Sequence, residues 1–374
     1  MSDITLVVLC AGSSTRFGTK AKKQWLRIED KPLWLYVTQN LSSSYKFAKV
    51  IVTGHQDEIK YMENFSYEFE YVQGGNTRQD SMQNALSKVD TPYVMFTDVA
   101  RSCVPQAIIA SLIENKLKAD CIVPVLDVSD TVVFDGCTID RDKVKLIQTP
   151  QLSNTSMLKL ALQTSQTFTD DSSAIASIGG SVCYIQGSSK SKKLTFTNDL
   201  NDISCLKPPS NIYLNGNGFD IHPFEENKKM FLGGVHIPCE YGFKAHSDGD
   251  VLIHSVIDAL LGAAGAGDIG EFFPDTDMSY SGIDSKILLE KIVNFIGNVG
   301  FDIVNVDITI IAQKPKITPH KLDIKKSLST LLQIEPCFVN IKATTAEKLG
   351  FIGRGEGVAV ISNATIKYHN WIQK

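Results

Sequence analysis

Two adjacent prolines in Lys207-Pro-Pro-Ser-Asn211 stand between two different hydrophobic rhythms, and that change limits the possible folds more than any other feature. A proline gives no amide proton to a helix or sheet ladder and restricts the residue before it, so the pair marks a domain boundary. Before it, apolar runs at Ile4-Thr-Leu-Val-Val-Leu9, 49–52, 69–72, 93–96 and 120–125 alternate with helix-like segments near 33–41, 78–89 and 105–116. Thr197-Asn-Asp-Leu-Asn-Asp202 reads as a closing capped helix. This rhythm predicts a doubly wound α/β domain over 1–206, followed by a linker at 207–211. Over 212–374 the pattern becomes a strand near 212–221, a hairpin around Gly233-Gly234, helices near 251–263, 285–299 and 319–332, and strands near 303–311, 339–343 and 358–367. That order predicts a compact α+β domain with helices on one face of a mixed sheet.

A hydrophobic content of 43% against 21% charged residues supplies enough core for both domains without covalent staples. The eight cysteines are scattered with no C-x-x-C pair, so they read as reduced thiols of a cytoplasmic enzyme. The run at 4–9 is too short to span a bilayer and follows no basic leader. With 37 Lys+Arg against 41 Asp+Glu, the net charge of -4 gives no general attraction to nucleic acid or an anionic membrane. Anion recognition must therefore be local.

The first such place is Cys10-Ala-Gly-Ser-Ser-Thr-Arg-Phe-Gly-Thr-Lys-Ala-Lys-Lys-Gln24. Small side chains let backbone N–H groups approach phosphate oxygens, and Arg16 and Lys23 supply charge for phosphoryl transfer. The spacing fits neither a P-loop nor a dinucleotide glycine motif, and an ordinary turn with solvated lysines stays open. Gly74-Gly-Asn-Thr-Arg-Gln-Asp-Ser81 is a second glycine turn opening a helix, and Phe96-Thr-Asp-Val-Ala-Arg101 sets a carboxylate and a guanidinium just past a strand end, where open α/β sheets bind ligands. Asp98 is placed to hold the Mg2+ that accompanies a triphosphate, or else to cap a helix.

In order along the chain, Ala11-Gly12, Arg16, Lys23-Gln24, Gly74-Gly75-x-x-Arg78-x-x-Ser81, Asp98-x-Ala-Arg101, Val125-x-Asp127, Asp140-Arg141, Thr149-Pro150-Gln151, Thr169-Asp170-Asp171 and Lys193-Leu-Thr195 make residues 3–206 resemble the 2-C-methyl-D-erythritol 4-phosphate cytidylyltransferases. The resemblance implies that the phosphate of methylerythritol phosphate attacks the α-phosphorus of CTP and releases pyrophosphate. Arg16 and Lys23 would stabilise the transition state. Cys10, Ala11, Gly12, Gly75, Asn76 and Ser81 would hold CTP, Asp98 and Arg101 would complete the substrate site, and Arg141 and Lys193 would position the sugar phosphate. Three departures touch base-contact details: Lys22 replaces a usual proline, Asn76 a common aspartate, and Thr97 a frequent histidine.

In the second domain Asp220 and His222 lie two apart on a predicted strand, so both side chains leave one face and can share a metal. His254, in the helix after His246-Ser-Asp-Gly-Asp-Val251, is the third candidate. Two imidazoles and a carboxylate suit zinc and leave a fourth position for a substrate oxygen. By itself the Asp-x-His pair also reads as a surface or second-layer pair.

Around it, Gly218-Phe-Asp-Ile-His-Pro-Phe224, Leu232-Gly-Gly-Val-x-Ile-Pro238, Ala245-His-Ser-Asp-Gly-Asp-Val251, Asp258-Ala-Leu-Leu-Gly-Ala263, Gly267-Asp-Ile-Gly270, Phe273-Pro-Asp-Thr-Asp277, Ala312-Gln-x-Pro-Lys316, Lys342-Ala-Thr-Thr345, Glu347-Lys-Leu-Gly-Phe351 and Arg354-Gly-Glu-Gly357 make residues 211–368 similar to the 2-C-methyl-D-erythritol 2,4-cyclodiphosphate synthases. The resemblance implies attack of the 2-phosphate of the CDP-linked substrate on its own β-phosphorus, with CMP leaving. Zinc would sit on Asp220, His222 and His254, and a Mg2+ on the diphosphate would contact Glu347. His246 and Thr345 would stabilise the transition state. Asp268 and the Phe273–Asp277 loop, with Asp275, would hold the erythritol part; the 312–318 and 344–347 segments, with Ala312, Lys316, Thr344 and Glu347, would bind CDP; Ser247, Ile269, Gly270, Phe351 and Arg354 would be further substrate-binding residues. Ala346 stands where a threonine is usual, Thr345 also reads as a helix cap, and Asp277 as a turn aspartate. The resemblance further implies a trimeric synthase domain and a dimeric transferase domain, with a hexamer as one way to satisfy both.

Overall fold

The computed structural model describes residues 2–164, 166–203, 205–245, 247–274, 276–280 and 282–372. The chain divides into two compact units, 1–209 and 210–374.

In the first unit, the strand Ile4–Leu9 is buried along its whole length, as expected of a strand covered on both faces. Its parallel neighbours are Lys49–Gly54 and Tyr93–Asp98, and Glu70–Gln73 pairs parallel beyond Lys49–Gly54. Val7 and Leu9 pack with Met82, Ala85 and Leu86 of the helix Arg78–Leu86, while the helix Leu33–Ser44 buries Leu33, Trp34, Val37 and Leu41. The period of two sends alternate residues of each strand to opposite helical layers, which is why continuous apolar runs suit this sheet. All four parallel strands end at one edge, where Leu9 pairs with both Thr53 and Asp98.

The sheet has eight strands and is mixed rather than wholly parallel. Gln151–Asn154 runs antiparallel between Tyr93–Asp98 and Cys121–Asp127, with Lys145–Ile147 antiparallel and Val182–Gln186 parallel on Cys121–Asp127. A separate ribbon pairs Val132–Phe134 with Cys137–Ile139. Its Asp135-Gly136 turn has positive φ at both residues, 48° and 77°, the geometry that matches strand twist in a two-residue hairpin.

The second unit holds a five-stranded mixed sheet in the order Tyr241–Phe243, Tyr213–Glu226, Gly357–Tyr368, Phe301–Ile311, Val339–Thr344. Only the last pair is parallel. The helix Val251–Ala264 lies against Tyr213–Glu226 and Gly357–Tyr368, with Ser285–Asn298 beside it and Lys321–Leu332 packed on Ser285–Asn298 and Val339–Thr344. Two glycines set its approach: a Cβ at Gly216 would run into the Ala259 carbonyl, and one at Gly218 into the Ser255 carbonyl. The even-numbered residues of that strand therefore face the helix at close range, while Tyr213 and Phe219 on the other parity are more than half exposed.

One expectation is overturned. Cys103 and Cys205 form a disulfide, with Cα atoms 6.0 Å apart, so not all eight cysteines are thiols; Cys10, Cys121, Cys137, Cys183, Cys239 and Cys337 are free. The 102-residue separation gives no local spacing signal, since the pairing arises only when the fold brings residues beside Arg101 against the end of the unit. Among the described residues, no helix is long and apolar enough to cross a membrane.

Candidate functional site

The first site forms where the parallel strands end. The Cys10 amide donates to the carbonyl and the hydroxyl of Thr53 at 3.2 and 3.1 Å, fixing the loop that follows. Burial pushes the Cys10 thiol well up, which makes it an inert wall rather than a nucleophile. A Cβ at Gly74 would collide with Ala11, so glycine there lets the two glycine segments touch. Gly75 N–H donates to Ser81 Oγ at 3.0 Å, and a capping box between Thr77 and Asp80 starts the helix. Gly12 and Asn76 remain exposed at this rim.

Lys23 lies in the short 3-10 turn Lys23–Trp25, and its Nζ donates to the Leu194 carbonyl at 3.0 Å. Burial, then the neighbouring Lys193 and Arg16 cations, lower its pKa to about 8. Arg16 is exposed in the loop above. The turn hangs on a buried carboxylate that the sequence reading missed. Glu58 pairs with Lys22 Nζ, accepts from Trp25 Nε1 at 2.5 Å and lies 3.4 Å from Gln24 Nε2. Gln24 in turn donates to the Gly12 carbonyl at 2.9 Å and accepts from Ser14 Oγ at 2.9 Å. Lys22, where a proline is usual, thus has a defined partner.

Asp98 ends its strand and does not cap a helix. Its oxygens meet Arg78 Nε at 3.1 Å and Lys193 Nζ at 2.5 Å. Burial would raise the carboxyl, but these two cations win and hold it well below the usual range. Arg78 also reaches the fully buried Asp171 at 3.3 Å. Arg101 donates to the Ser191 and Ile147 carbonyls at 2.6 and 3.1 Å, and so braces the loop that carries Lys193. Arg141 is exposed on a 3-10 turn and donates to the Ser129 carbonyl at 2.6 Å, so it is anchored through a different part of the fold from the Asp98–Lys193 pair. The missed Arg78–Asp171 pair had a sequence trace, since both residues lie in quoted motifs, but nothing in the spacing paired them across 93 residues.

In the second unit the structure brings Asp220, His222 and His254 together, with one ligand atom from each all within 4.8 Å of one another. Asp220 Oδ2 lies 3.1 Å from His222 Nδ1 and 3.2 Å from His254 Nδ1. Asp220 Oδ2 and His222 Nδ1 are shielded from solvent and neither completes a hydrogen bond, so buried polar atoms converge without satisfying one another. Burial would raise the Asp220 carboxyl, but the two imidazoles hold it well below the usual range. That donor set fits a divalent cation.

Of the other expected residues, Ser247 lies beside this cluster, its Oγ 3.3 Å from His254 Nε2. His246 and Asp275 lie outside the described residues. Asp268 caps the short helix Ile269–Phe272 by accepting from Glu271 N–H at 3.1 Å, and Ile269 N–H donates to Asp258 at 2.9 Å. Gly270 is exposed and Phe273 half-buried, while Asp277 accepts from Ser279 N–H at 2.9 Å, as a turn aspartate does. Thr345 donates to Glu347 at 2.6 Å, and Glu347 has φ 47°. Ala312 N–H donates to the Thr344 carbonyl at 3.0 Å, joining the two proposed CDP segments. Lys316, Phe351 and Arg354 are exposed, and Arg354 is paired with Glu356 at 2.6 Å. Register puts Thr344 opposite Ile311, Ile311 opposite Ala359 and Ala359 opposite Ile221. Three strand spacings of about 4.8 Å therefore set the Thr344 backbone roughly 14 Å across the sheet from Ile221, the position between Asp220 and His222.

Residues 4–205 match the family described as 2-C-methyl-D-erythritol 4-phosphate cytidylyltransferase, and residues 213–367 match the YgbB family. The chain is 67% identical to the bifunctional enzyme IspD/IspF of Aliarcobacter butzleri over 99% of both chains, and 54% identical to that of Campylobacter fetus over the same shares. A solved structure of the bifunctional IspDF from Campylobacter jejuni superposes with TM-score 0.88 at 48% identity, covering 100% of each chain.

Proposed function

The chain belongs to the bifunctional IspD/IspF family, cytidylyltransferase and cyclodiphosphate synthase of the methylerythritol phosphate pathway, and from that premise we propose how its residues divide the two reactions. Residues 1–206 carry the transfer, 212–374 the cyclisation, and 207–211 join them.

In the transfer, an oxygen of methylerythritol phosphate attacks the α-phosphorus of CTP, the bond to the β-phosphate breaks, and pyrophosphate leaves. Backbone N–H groups of the 10–12 and 75–76 segments, with Ser81, hold the triphosphate. Arg16 and Lys23 meet the charge that develops on its oxygens. Lys193 and Arg141 take the sugar phosphate. Because Lys193 sits on Asp98 without substrate, an arriving phosphate competes for it and frees a carboxylate oxygen for the Mg2+ carried by CTP.

In the cyclisation, an oxygen of the substrate's 2-phosphate attacks its β-phosphorus, the bond to the α-phosphate breaks, and CMP leaves. Asp220, His222 and His254 would hold a resident zinc, since two imidazoles and one carboxylate suit that ion better than magnesium. When bound it supplies Lewis-acid charge to the β-phosphate. His246 and Thr345 would stabilise the transition state, Glu347 would help hold the Mg2+ carried by the diphosphate, and Asp268 and the 273–277 loop would hold the erythritol, with Ser247 a further substrate contact. Ala312, Lys316, Thr344, Phe351 and Arg354 line the CDP end. Positioning nucleophile and electrophile within one molecule can lower the barrier by about 7–11 kcal/mol.

The observation that carries this reading is the convergence of the three ligand atoms within 4.8 Å. The separation of the 344–347 segment from them supports a site completed between subunits, hence a trimeric synthase unit, and the open sheet face with Tyr213 and Phe219 offers apolar surface for it. Exposed Val133 and Phe134 on the hairpin ribbon suit a dimer of the transferase unit, and a hexamer satisfies both. A cytoplasmic location fits CTP as substrate. Purified protein is expected to release pyrophosphate from CTP only with methylerythritol phosphate, and CMP only from the 2-phosphorylated CDP derivative. Failure of either release in folded, metal-loaded protein would remove the corresponding half.

A further inference from the structure

The side of the His254 ring that faces away from Asp220 is held by a relay that the activity does not account for. Its Nε2 lies 3.0 Å from Ser285 Oγ and 3.3 Å from Ser247 Oγ. Ser285 is fully buried as the first residue of the helix Ser285–Asn298. Its hydroxyl donates to Asp248 Oδ1 at 2.5 Å, and its N–H donates to Asp248 Oδ2 at 3.2 Å. Asp248 Oδ1 also accepts from Asp250 N–H at 3.2 Å, so the carboxylate faces three donors from two helix starts.

Proton counting then fixes the ring. A hydroxyl has one proton, and a carboxylate oxygen can only accept. With the Ser285 proton committed to Asp248, Ser285 Oγ can meet Nε2 only as an acceptor, so Nε2 carries the ring proton. Ser247 Oγ, which accepts from Gly249 N–H at 3.2 Å, sits at the longer distance as a second acceptor. The ring therefore turns Nδ1 toward the metal cluster, 3.2 Å from Asp220 Oδ2. That is the orientation required of a ring that binds metal through Nδ1.

We propose that Asp248 and Ser285 are positioning residues for the metal centre: Asp248 orients the Ser285 hydroxyl, which accepts from His254 Nε2–H and so aims Nδ1 at the cation. The proposal rests on the metal reading of Asp220, His222 and His254 and adds two residues that touch neither metal nor substrate. A plain capping role for Asp248 at Ser285 would require the backbone contact but would be indifferent to which way the hydroxyl proton points.

Asp248→Asn separates the two. The asparagine oxygen can keep the Ser285 N–H, but its amide then donates to Ser285 Oγ, turning the hydroxyl proton toward Nε2 and forcing the ring proton onto Nδ1. In full-length protein stripped of metal, titration with Zn2+ against a chelating competitor is expected to show affinity weakened about 10–100-fold by Asp248→Asn and by Ser285→Ala. Zinc-loaded wild type labelled with 15N-histidine should show His254 with its proton on Nε2, hydrogen-bonded to oxygen, and Ser285→Ala should shift the resonance of that proton. Zinc affinities within about twofold of wild type in both variants, or zinc-loaded wild-type His254 without a proton on Nε2, overturn the proposal. The wild-type spectrum decides even if a variant folds poorly. His222→Ala run alongside keeps the two levels apart: if wild type binds no zinc, or if this change leaves binding intact, the metal reading itself is wrong and the relay falls with it.

Discussion

At the scale of single residues the proposed transferase site contains a lysine whose charge is conditional. Burial and the nearby Lys193 and Arg16 cations bring Lys23 to about 8, so its ammonium is present below that pH and is lost as pH rises through it. Since kcat/KM reports groups of the free enzyme, the transferase kcat/KM for CTP should fall on the alkaline side with a limb near 8. Bound triphosphate favours the charged form, so the same limb in kcat should lie higher. Lys23→Arg, whose guanidinium stays charged, should lower the rate but remove the limb. A wild-type profile flat through this region, or a limb that survives in the arginine variant, would assign the titration elsewhere. The placement of Lys23 beside Arg16 in a loop rich in cations was legible in the sequence; its altered basicity was not, because the groups responsible include Lys193, which the fold brings in from far along the chain.

Elements decide whether these side chains meet. The strand Tyr213–Glu226 and helix Val251–Ala264 put His254 over Asp220 and His222 because Gly216 and Gly218 let the helix lie on the backbone. Gly218→Ala should push the helix outward, destabilise the second unit by about 1–3 kcal/mol in urea unfolding and release zinc. Unchanged zinc affinity would show that the helix has room to adapt. In the first unit, Glu58→Ala removes the acceptor of Trp25 Nε1 and the partner of Lys22. Breaking a buried pair in this way costs about 3–5 kcal/mol, and the loosened 23–25 turn should reduce transferase kcat more than KM while cyclisation persists. Long periodic elements such as Ser285–Asn298 and Phe301–Ile311 were readable from sequence, as was the hairpin at Gly233-Gly234. The antiparallel additions Lys145–Ile147 and Gln151–Asn154 were not, because three or four residues carry too little periodicity and their pairing is set by a strand elsewhere. For the same reason motif spacing revealed Asp220, His222 and His254 but not Ser285, Asp248 or Glu58, whose partners come from tertiary packing.

For the whole molecule, the two reactions are chemically separate: a phosphorylation must intervene, because the transferase product lacks the 2-phosphate that attacks in the cyclase. Each unit therefore needs its own charge arrangement, and each is built from side chains of its own part of the chain, Lys23, Arg78, Asp98 and Lys193 in one, Asp220, His222 and His254 in the other. His222→Ala should abolish zinc retention and CMP release while pyrophosphate release continues; Lys23→Ala should do the reverse. The paired variants also test assembly. If the cyclase site is completed by the 344–347 segment of another subunit, mixing His222→Ala chains with Thr345→Ala chains, after subunit exchange, should restore part of the CMP release that neither gives alone. The intact mixture has to have the mass of an oligomer, since a monomer offers no second segment. Restored activity requires that a functional triad and a functional Thr345 reach one site from different chains, whereas two sites each confined to one chain would leave every subunit with one defect and the mixture inactive.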